Sequence, residues 1–451
     1  MRKKIIYFLS LFVSFILLGL SLFSNFTYSP FNSSYVKENI RLLSSDTYDG
    51  RLPGSKGNIL ATEIINKTFK DNGLLPLNDT YKESFTVTTP VFNNTDPYLK
   101  IFYDNGYEES LKYGVDFKED MINFRKTNFT FSSYDKVNVF SNYIEVQNST
   151  GRFIFYVSPK NDFSFRSSFS SDYPYDMMVI ITSNAYNKII NSLKSNATIS
   201  INIPFSTEEK EIFNIVGVIK GTSSNLAPLV LTAHFDHLGE DSFKNTYYGA
   251  LDNASGTSFL LELQRSLCTY GRPKRDIIFV ALNAEEFGLL GSKSFAKNNL
   301  DKIKNSEVIN FDMIGSEGYP LTLMVGASYK NKDSKLLKSI EKIAHSKNVE
   351  TKVVYENSSD HASFNDLGVD ALSFCHSDLS KIHTPNDTYE YISLDAIDSA
   401  YSVAQDKIFK SSYSFITNFF YGKTSIFIFS ILFGFILSAP IINRLKKCRI
   451  Y

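Results

Sequence analysis

Three runs of apolar residues, LAPLVLTA, RDIIFVALNA and EVINFDM, constrain this 451-residue chain most, because each is an unbroken block rich in Val, Ile, Leu and Phe. Strands buried on both faces of a parallel sheet read this way, whereas strands with one wet face alternate. Amphipathic stretches lie between and after them. ASGTSFLLELQRSLCTYG sets Phe259, Leu260, Leu263 and Leu267 on one helical face, and KDSKLLKSIEKIAHS does the same with Leu336, Leu337, Ile340 and Ile343. Helices alternating with such strands predict an α/β fold with a mixed, mostly parallel sheet covered by helices on both faces.

Residues able to hold a metal gather at the ends of these runs. His234 and Asp236 close the first, Glu285 and Glu286 the second and Asp312 the third, while GALDNASG adds Asp252 and HTPNDTYE adds His383. In open α/β sheets ligands bind beyond the carboxyl ends of the strands. Ionised groups buried there must be paired or metal-bound. Imidazole nitrogen and carboxylate oxygen both suit zinc, with a coordination position left for water. Two His and three carboxylates from this set exceed what one catalytic zinc takes, but serve two ions if a carboxylate bridges them at roughly 3.5 to 4 Å. A serine nucleophile would need an elbow such as G-x-S-x-G, which the sequence lacks.

The order His-x-Asp, Asp-Asn-x-Ser-Gly, Glu-Glu, Asp and finally His resembles that of the dinuclear zinc aminopeptidases, a family that also includes glutamate carboxypeptidase-like enzymes. The resemblance covers residues 36 to 85 and 211 to 410. It implies two zinc ions per chain and peptide substrates. Asp252 would bridge the metals, His234 and Asp312 would complete one site, and Glu286 and His383 the other. Glu285 would be the general base, and Asp236 would orient His234 through its second ring nitrogen. The peptide after Asp252 is expected to be cis. NSSDHASF resembles a segment lining the substrate cleft, so Asp360 and His361 would contact substrate or stand behind the ligands. Two other readings stay open: a dipeptidase or carboxypeptidase on the same metals, or a non-catalytic receptor-like ectodomain.

The remaining histidines near these loops, His237 and His376, are either structural or functional. Arg51, in the Gly- and Pro-rich DGRLPGS, either reaches the active-site rim or belongs to a loop held by its glycines. Asp387 and Thr388 are expected to orient the His383 loop.

Two uncharged stretches of spanning length flank everything above: residues 5–23 and 424–442. The first exceeds a signal-peptide core and lacks an obvious small-x-small cleavage site, so it reads as an uncleaved anchor. Lys and Arg clusters outside both spans place residues 1–4 and 443–451 in the cytoplasm and the catalytic domain on the extracytoplasmic side of the cell membrane. Between them, residues 24–85 and 211–411 form the zinc peptidase domain. Residues 86–210 shift to short Tyr- and Phe-rich runs, with Asn105-Gly106 as a hairpin turn, and form a mainly-β insert resembling a protease-associated domain. No chemistry is identifiable in that insert. Lys+Arg and Asp+Glu are equal at 47 each, which gives no reason to expect nucleic acid as a partner. Three cysteines, one of them in the expected tail, encode no disulfide framework.

Overall fold

The computed structural model describes residues 2–93 and 95–448, and for 442–448 the helical backbone. Met1 and residues 449–451 of the expected tails lie outside the described residues. The central sheet runs in the order Leu75–Pro76, Phe205–Ile219, Ile277–Leu282, Leu229–His234, Glu307–Phe311, Asp370–His376, Leu321–Val325 and Thr351–Tyr355, and Lys82–Phe92 pairs with Phe205–Ile219. The four strands from Ile277–Leu282 to Asp370–His376 are mutually parallel, and antiparallel neighbours join on both sides. The sheet is therefore mixed, and its parallel centre coincides with the three apolar runs.

Alternation explains why those runs carry so few polar residues. Leu229, Leu231, Ala233, Ile277, Phe279 and Ala281 face one core, shared with helices Ser33–Leu43, Lys56–Asp71, Gly256–Cys268, Lys335–Ser346 and Leu394–Ser412. Val230, Ile278, Val280 and Leu282 face a second, shared with the shorter helices Leu290–Asn298 and His361–Asp366. Successive strand residues point to opposite faces, so burial on both leaves little place for polar residues before the strand ends, and the buried exceptions Thr232 and Asn310 pair with each other at 2.7 Å. Local signals set the helix limits: Ser334 accepts from Leu337 N–H at the start of its helix, and Gly73, at φ +79°, follows the end of Lys56–Asp71.

Lys82–Phe92 and Phe205–Ile219 form a long antiparallel ribbon leading out of the sheet. Between them in sequence lies a body of a five-stranded sheet, a four-stranded sheet and helix Ser183–Lys194. The Asn105-Gly106 turn joins two of its strands, Tyr98–Phe102 and Glu108–Leu111. Its core continues toward the loop after Ile277–Leu282, where Phe169 packs on Phe287 with ring centroids 4.9 Å apart.

Helices Arg2–Thr27 and Lys423–Ile441 are long and apolar enough to cross a membrane. They lie side by side: the hydroxyls of Ser21 and Ser425 pair, and Phe15 packs on Phe433 with ring centroids 6.0 Å apart. Phe8, Phe12, Phe23, Phe427, Ile431 and Phe435 remain exposed on them. Of the cysteines, Cys268 is a half-buried and Cys375 a buried free thiol.

Candidate metal centre

His234 is the last residue of its strand, and Asp312 follows the next strand directly. Glu285 and Glu286 come just after Ile277–Leu282, and Asp252 sits in the tight turn Ala250–Ser255 that enters helix Gly256–Cys268. These four loops, with the His383 loop, converge on one point. His234 Nε2 lies 3.5 Å from both Asp252 Oδ1 and Asp312 Oδ1. His383 Nε2 lies 3.2 Å from Asp252 Oδ2 and 3.4 Å from Glu286 Oε1. The two oxygens of Asp252 thus face two separate groups. Glu285 offers an oxygen within 4.8 Å of the donor atoms of His234 and Asp312.

Neighbouring side chains hold this geometry. Asn253 donates to Phe311 O and accepts from Gly256 and Met313 N–H, tying the Asp252 turn to the strand end that carries Asp312. The Asp252–Asn253 peptide is cis. Asp387 accepts from the backbone N–H of Leu251 and Asp252 at 2.8 and 3.0 Å. It therefore grips the Asp252 turn rather than only its own loop; Thr388 makes no side-chain cap there. Asp236 accepts from the N–H of both Glu285 and Glu286 at 3.1 Å, while its Oδ1 lies 3.6 Å from His234 Nδ1. It thus positions the Glu-Glu pair as well as facing the imidazole. Ser359 donates to Asp312 Oδ2 and Ser168 to Glu286 Oε2, each at 2.6 Å. In both carboxylates one oxygen is anchored, while the other, with no hydrogen-bond partner, faces the histidines.

Buried polar atoms without partners cost about 1 to 3 kcal/mol each. Here they cluster: His234 Nδ1, both nitrogens of His237, Glu286 Oε1, Asp312 Oδ1 and His383 Nδ1. The pocket also holds more carboxyl groups than imidazoles. Burial raises Glu285 well above the usual carboxylate range. Burial alone would lower His383, but Glu286 and Asp252 hold it up at about 11. Burial opposes the charge on Glu286 too, yet His383 and His237 pull it well below its usual range. Unsatisfied nitrogen and oxygen donors with surplus negative charge fit divalent cations bound by imidazole and carboxylate.

Tertiary structure revises several expectations. His237 enters the centre: its Nδ1 lies 3.0 Å from Glu286 Oε1 and 4.0 Å from Asp252 Oδ2, grouping it with those two carboxylates. The usable signal was its place three residues beyond His234 and directly after Asp236, in the run His-x-Asp-His. Gly249 makes room for it. At φ +54°, a Cβ there would lie 2.4 Å from the His237 ring and 2.2 Å from Asp252 O. Arg51 does not reach the rim. It is fully buried and donates to the carbonyls of Phe235, Leu43, Tyr248 and Gly249 at 2.6 to 2.8 Å. Asp360 is buried among the acids and burial lifts it to about 7, with neither oxygen partnered. Both ring nitrogens of His361 are engaged within the fold, Nδ1 with Ser373 Oγ at 2.8 Å and Nε2 with Glu356 O at 2.9 Å.

His376 is structural as well, and this carries a pH prediction. Its Nδ1 accepts from Gly315 N–H at 3.0 Å, and burial lowers its pKa from 6.5 to about 4. The unfolded chain therefore takes up a proton below pH 6.5 that the folded chain refuses until about pH 4. Stability contributed by neutral His376 is present above pH 6.5 and is lost as pH falls through that window, by up to about 3 kcal/mol. Denaturant midpoints measured from pH 7 to 4 should fall less steeply for His376→Gln than for the parent chain.

Residues 214–406 match the family described as Peptidase family M28. Aminopeptidase YwaD of Bacillus subtilis (strain 168) is 34% identical over 202 residues, 42% of this chain and 42% of that protein. The chain thus spans less than half the length of this relative. An aminopeptidase from Aneurinibacillus sp. strain AM-1 superposes with a TM-score of 0.58 at 18% identity, covering 85% of this chain and 94% of that one. BSAP, a zinc aminopeptidase from Bacillus subtilis, superposes with a TM-score of 0.55 at 17% identity, covering 85% and 96%. At such identity these two likenesses concern the fold.

Proposed function

We propose that this chain is a member of peptidase family M28 and a membrane-anchored, zinc-dependent exopeptidase that removes residues from the amino end of peptides. The observation that carries the reading is Asp252, whose two oxygens face His234 on one side and His383 on the other. His234, Asp312 and Asp252 would hold one zinc, and Asp252, Glu286 and His383 a second, with His237 as an additional donor to the second. When bound, such ions supply Lewis-acid polarisation of a carbonyl and lower the pKa of water. The chain's own residues supply the rest. Asp236 fixes the backbone of Glu285, so that its carboxylate takes the proton of the attacking water and returns it to the leaving amine. Buried Asp360 stands beside this base, and the 86–210 insert, read as protease-associated-like, shapes access. The two apolar helices at the ends support anchoring by two spans, with the lysine and arginine clusters inside and the catalytic domain outside.

The test uses the full chain in detergent with a peptide library, with and without a chelator. Stepwise loss from the amino terminus that stops on chelation is expected. Products shortened only from the carboxyl end, or release confined to dipeptides, would reassign the reaction on the same residues, and no chelator-sensitive cleavage would remove the enzymatic reading. His237→Ala carries a separate prediction: elemental analysis after dialysis should find zinc falling from two toward one per chain, because only the second group loses a donor. Unchanged zinc would take His237 out of that group.

A further inference from the structure

The insert enters the metal centre itself. Between its strands Gly151–Val157 and Met177–Ile181 the connection crosses to the metal centre and touches two of the loops that supply the second zinc group, those of Glu286 and His383. Arg166 N–H donates to His383 O and Phe169 N–H to Glu286 O, both at 3.0 Å. Ser168 Oγ donates to Glu286 Oε2 at 2.6 Å, as Ser359 does to Asp312 on the other side of the centre. Phe165 lies over the His383 ring, with centroids 5.6 Å apart and planes 22° from parallel, yet it stays 48% exposed.

The segment is held rigidly. Arg166, almost fully buried, donates to Leu238 O and Glu240 O at 2.9 and 2.7 Å, just beyond His237. Ser167 donates through its N–H and hydroxyl to the two oxygens of Asp120, on the insert strand Phe117–Phe124. Lys118 of the same strand pairs with buried Asp241 at 3.0 Å. The insert therefore docks by buried polar contacts, which are costly to leave unmade.

We propose that segment 163–170 is a working wall of the active site. In it Ser168 is the positioning residue for the Glu286 carboxylate, and Phe165 is the surface against which an apolar side chain at the substrate's amino end lodges. A carboxylate that ligates a metal through one oxygen is oriented by whatever bonds the other, and losing such a partner typically costs 10- to 100-fold in metal affinity. A half-exposed aromatic ring beside the ligand loop offers apolar contact area next to the cleaved bond. This inference rests on the reading of the centre as a zinc exopeptidase.

The experiment compares the full chain with Ser168→Ala, Ser168→Thr and Phe165→Ala. Zinc affinity is measured by competition with a chromophoric chelator, independently of turnover, and kcat/KM is measured on leucine and alanine p-nitroanilides. Ser168→Ala should weaken one zinc by about tenfold or more while the metal-free chain keeps its thermal midpoint, and Ser168→Thr, which retains the hydroxyl, should restore binding. Phe165→Ala should retain zinc but shift the leucine-to-alanine ratio by about tenfold. Unaltered zinc affinity in Ser168→Ala, or an unaltered ratio in Phe165→Ala, overturns the corresponding half. A parent chain that binds no zinc and cleaves nothing overturns the exopeptidase reading and this inference together; a normal parent with silent variants overturns this inference alone.

Discussion

Glu285→Gln is expected to leave zinc content unchanged and to lower kcat by at least about 10² to 10⁴, the usual contribution of a positioned general base. The amide keeps the size of the carboxylate and keeps the backbone N–H that donates to Asp236, so the Glu286 side of the centre is undisturbed. What it loses is the ability to accept a proton from water. Paired elemental analysis and steady-state rates on an aminoacyl p-nitroanilide check this. Parent-like turnover would strip Glu285 of the role, and loss of zinc would make it a ligand, as its place beside His234 and Asp312 permits.

The second large effect is expected at Arg51, remote from any substrate. Its guanidinium joins four carbonyls from three parts of the chain: Leu43 at the end of helix Ser33–Leu43, Phe235 beside the His234 and Asp236 pair, and Tyr248 and Gly249 ahead of Asp252. Burial lowers its pKa to about 10, and Asp387 with Asp236, Asp252 and Glu286 opposes that, so it stays cationic at neutral pH. Arg51→Met would leave the carbonyls of Leu43, Phe235 and Tyr248 without this donor, at about 1 to 3 kcal/mol each, while Gly249 O keeps the N–H of Ala254, and it would remove a cation from among the acids. A loss of at least about 3 kcal/mol in urea denaturation, with weakened zinc retention, is the expected result. Arg51→Lys should recover only part of it, since one ammonium cannot span the same fork. A variant of unchanged stability would show that water satisfies those carbonyls instead.

These two residues differ in how visible they were from the sequence. Glu285 stands in an apolar run that ends in Glu-Glu, in order with His234, Asp252, Asp312 and His383, and residue type plus strand-end position already marks it as chemical. Arg51 sits in a loop with no periodicity, where a charged residue reads as a rim group. Its burial became visible only once the loops around Phe235 and Gly249 closed over it. The same holds for Asp387, whose partners Leu251 and Asp252 lie far back in the chain, and for His237, whose ring depends on the space left by Gly249. Ser168 and Phe165 carried no signal at all: serine and phenylalanine are common throughout the insert, and their meaning lies in what the crossing segment meets.

By itself the sequence determined the buried parallel centre of the sheet, the metal-capable residues at its strand ends and the two apolar helices at the extremes. These rest on periodicity and residue chemistry, which are local properties. Only the tertiary structure decided that Asp252 faces two groups, that a third imidazole joins one of them, that Arg51 is a clamp and that the insert reaches Glu286. Those outcomes depend on which carbonyls and carboxylates are left without water once distant loops pack together, and that is settled by contact across the fold.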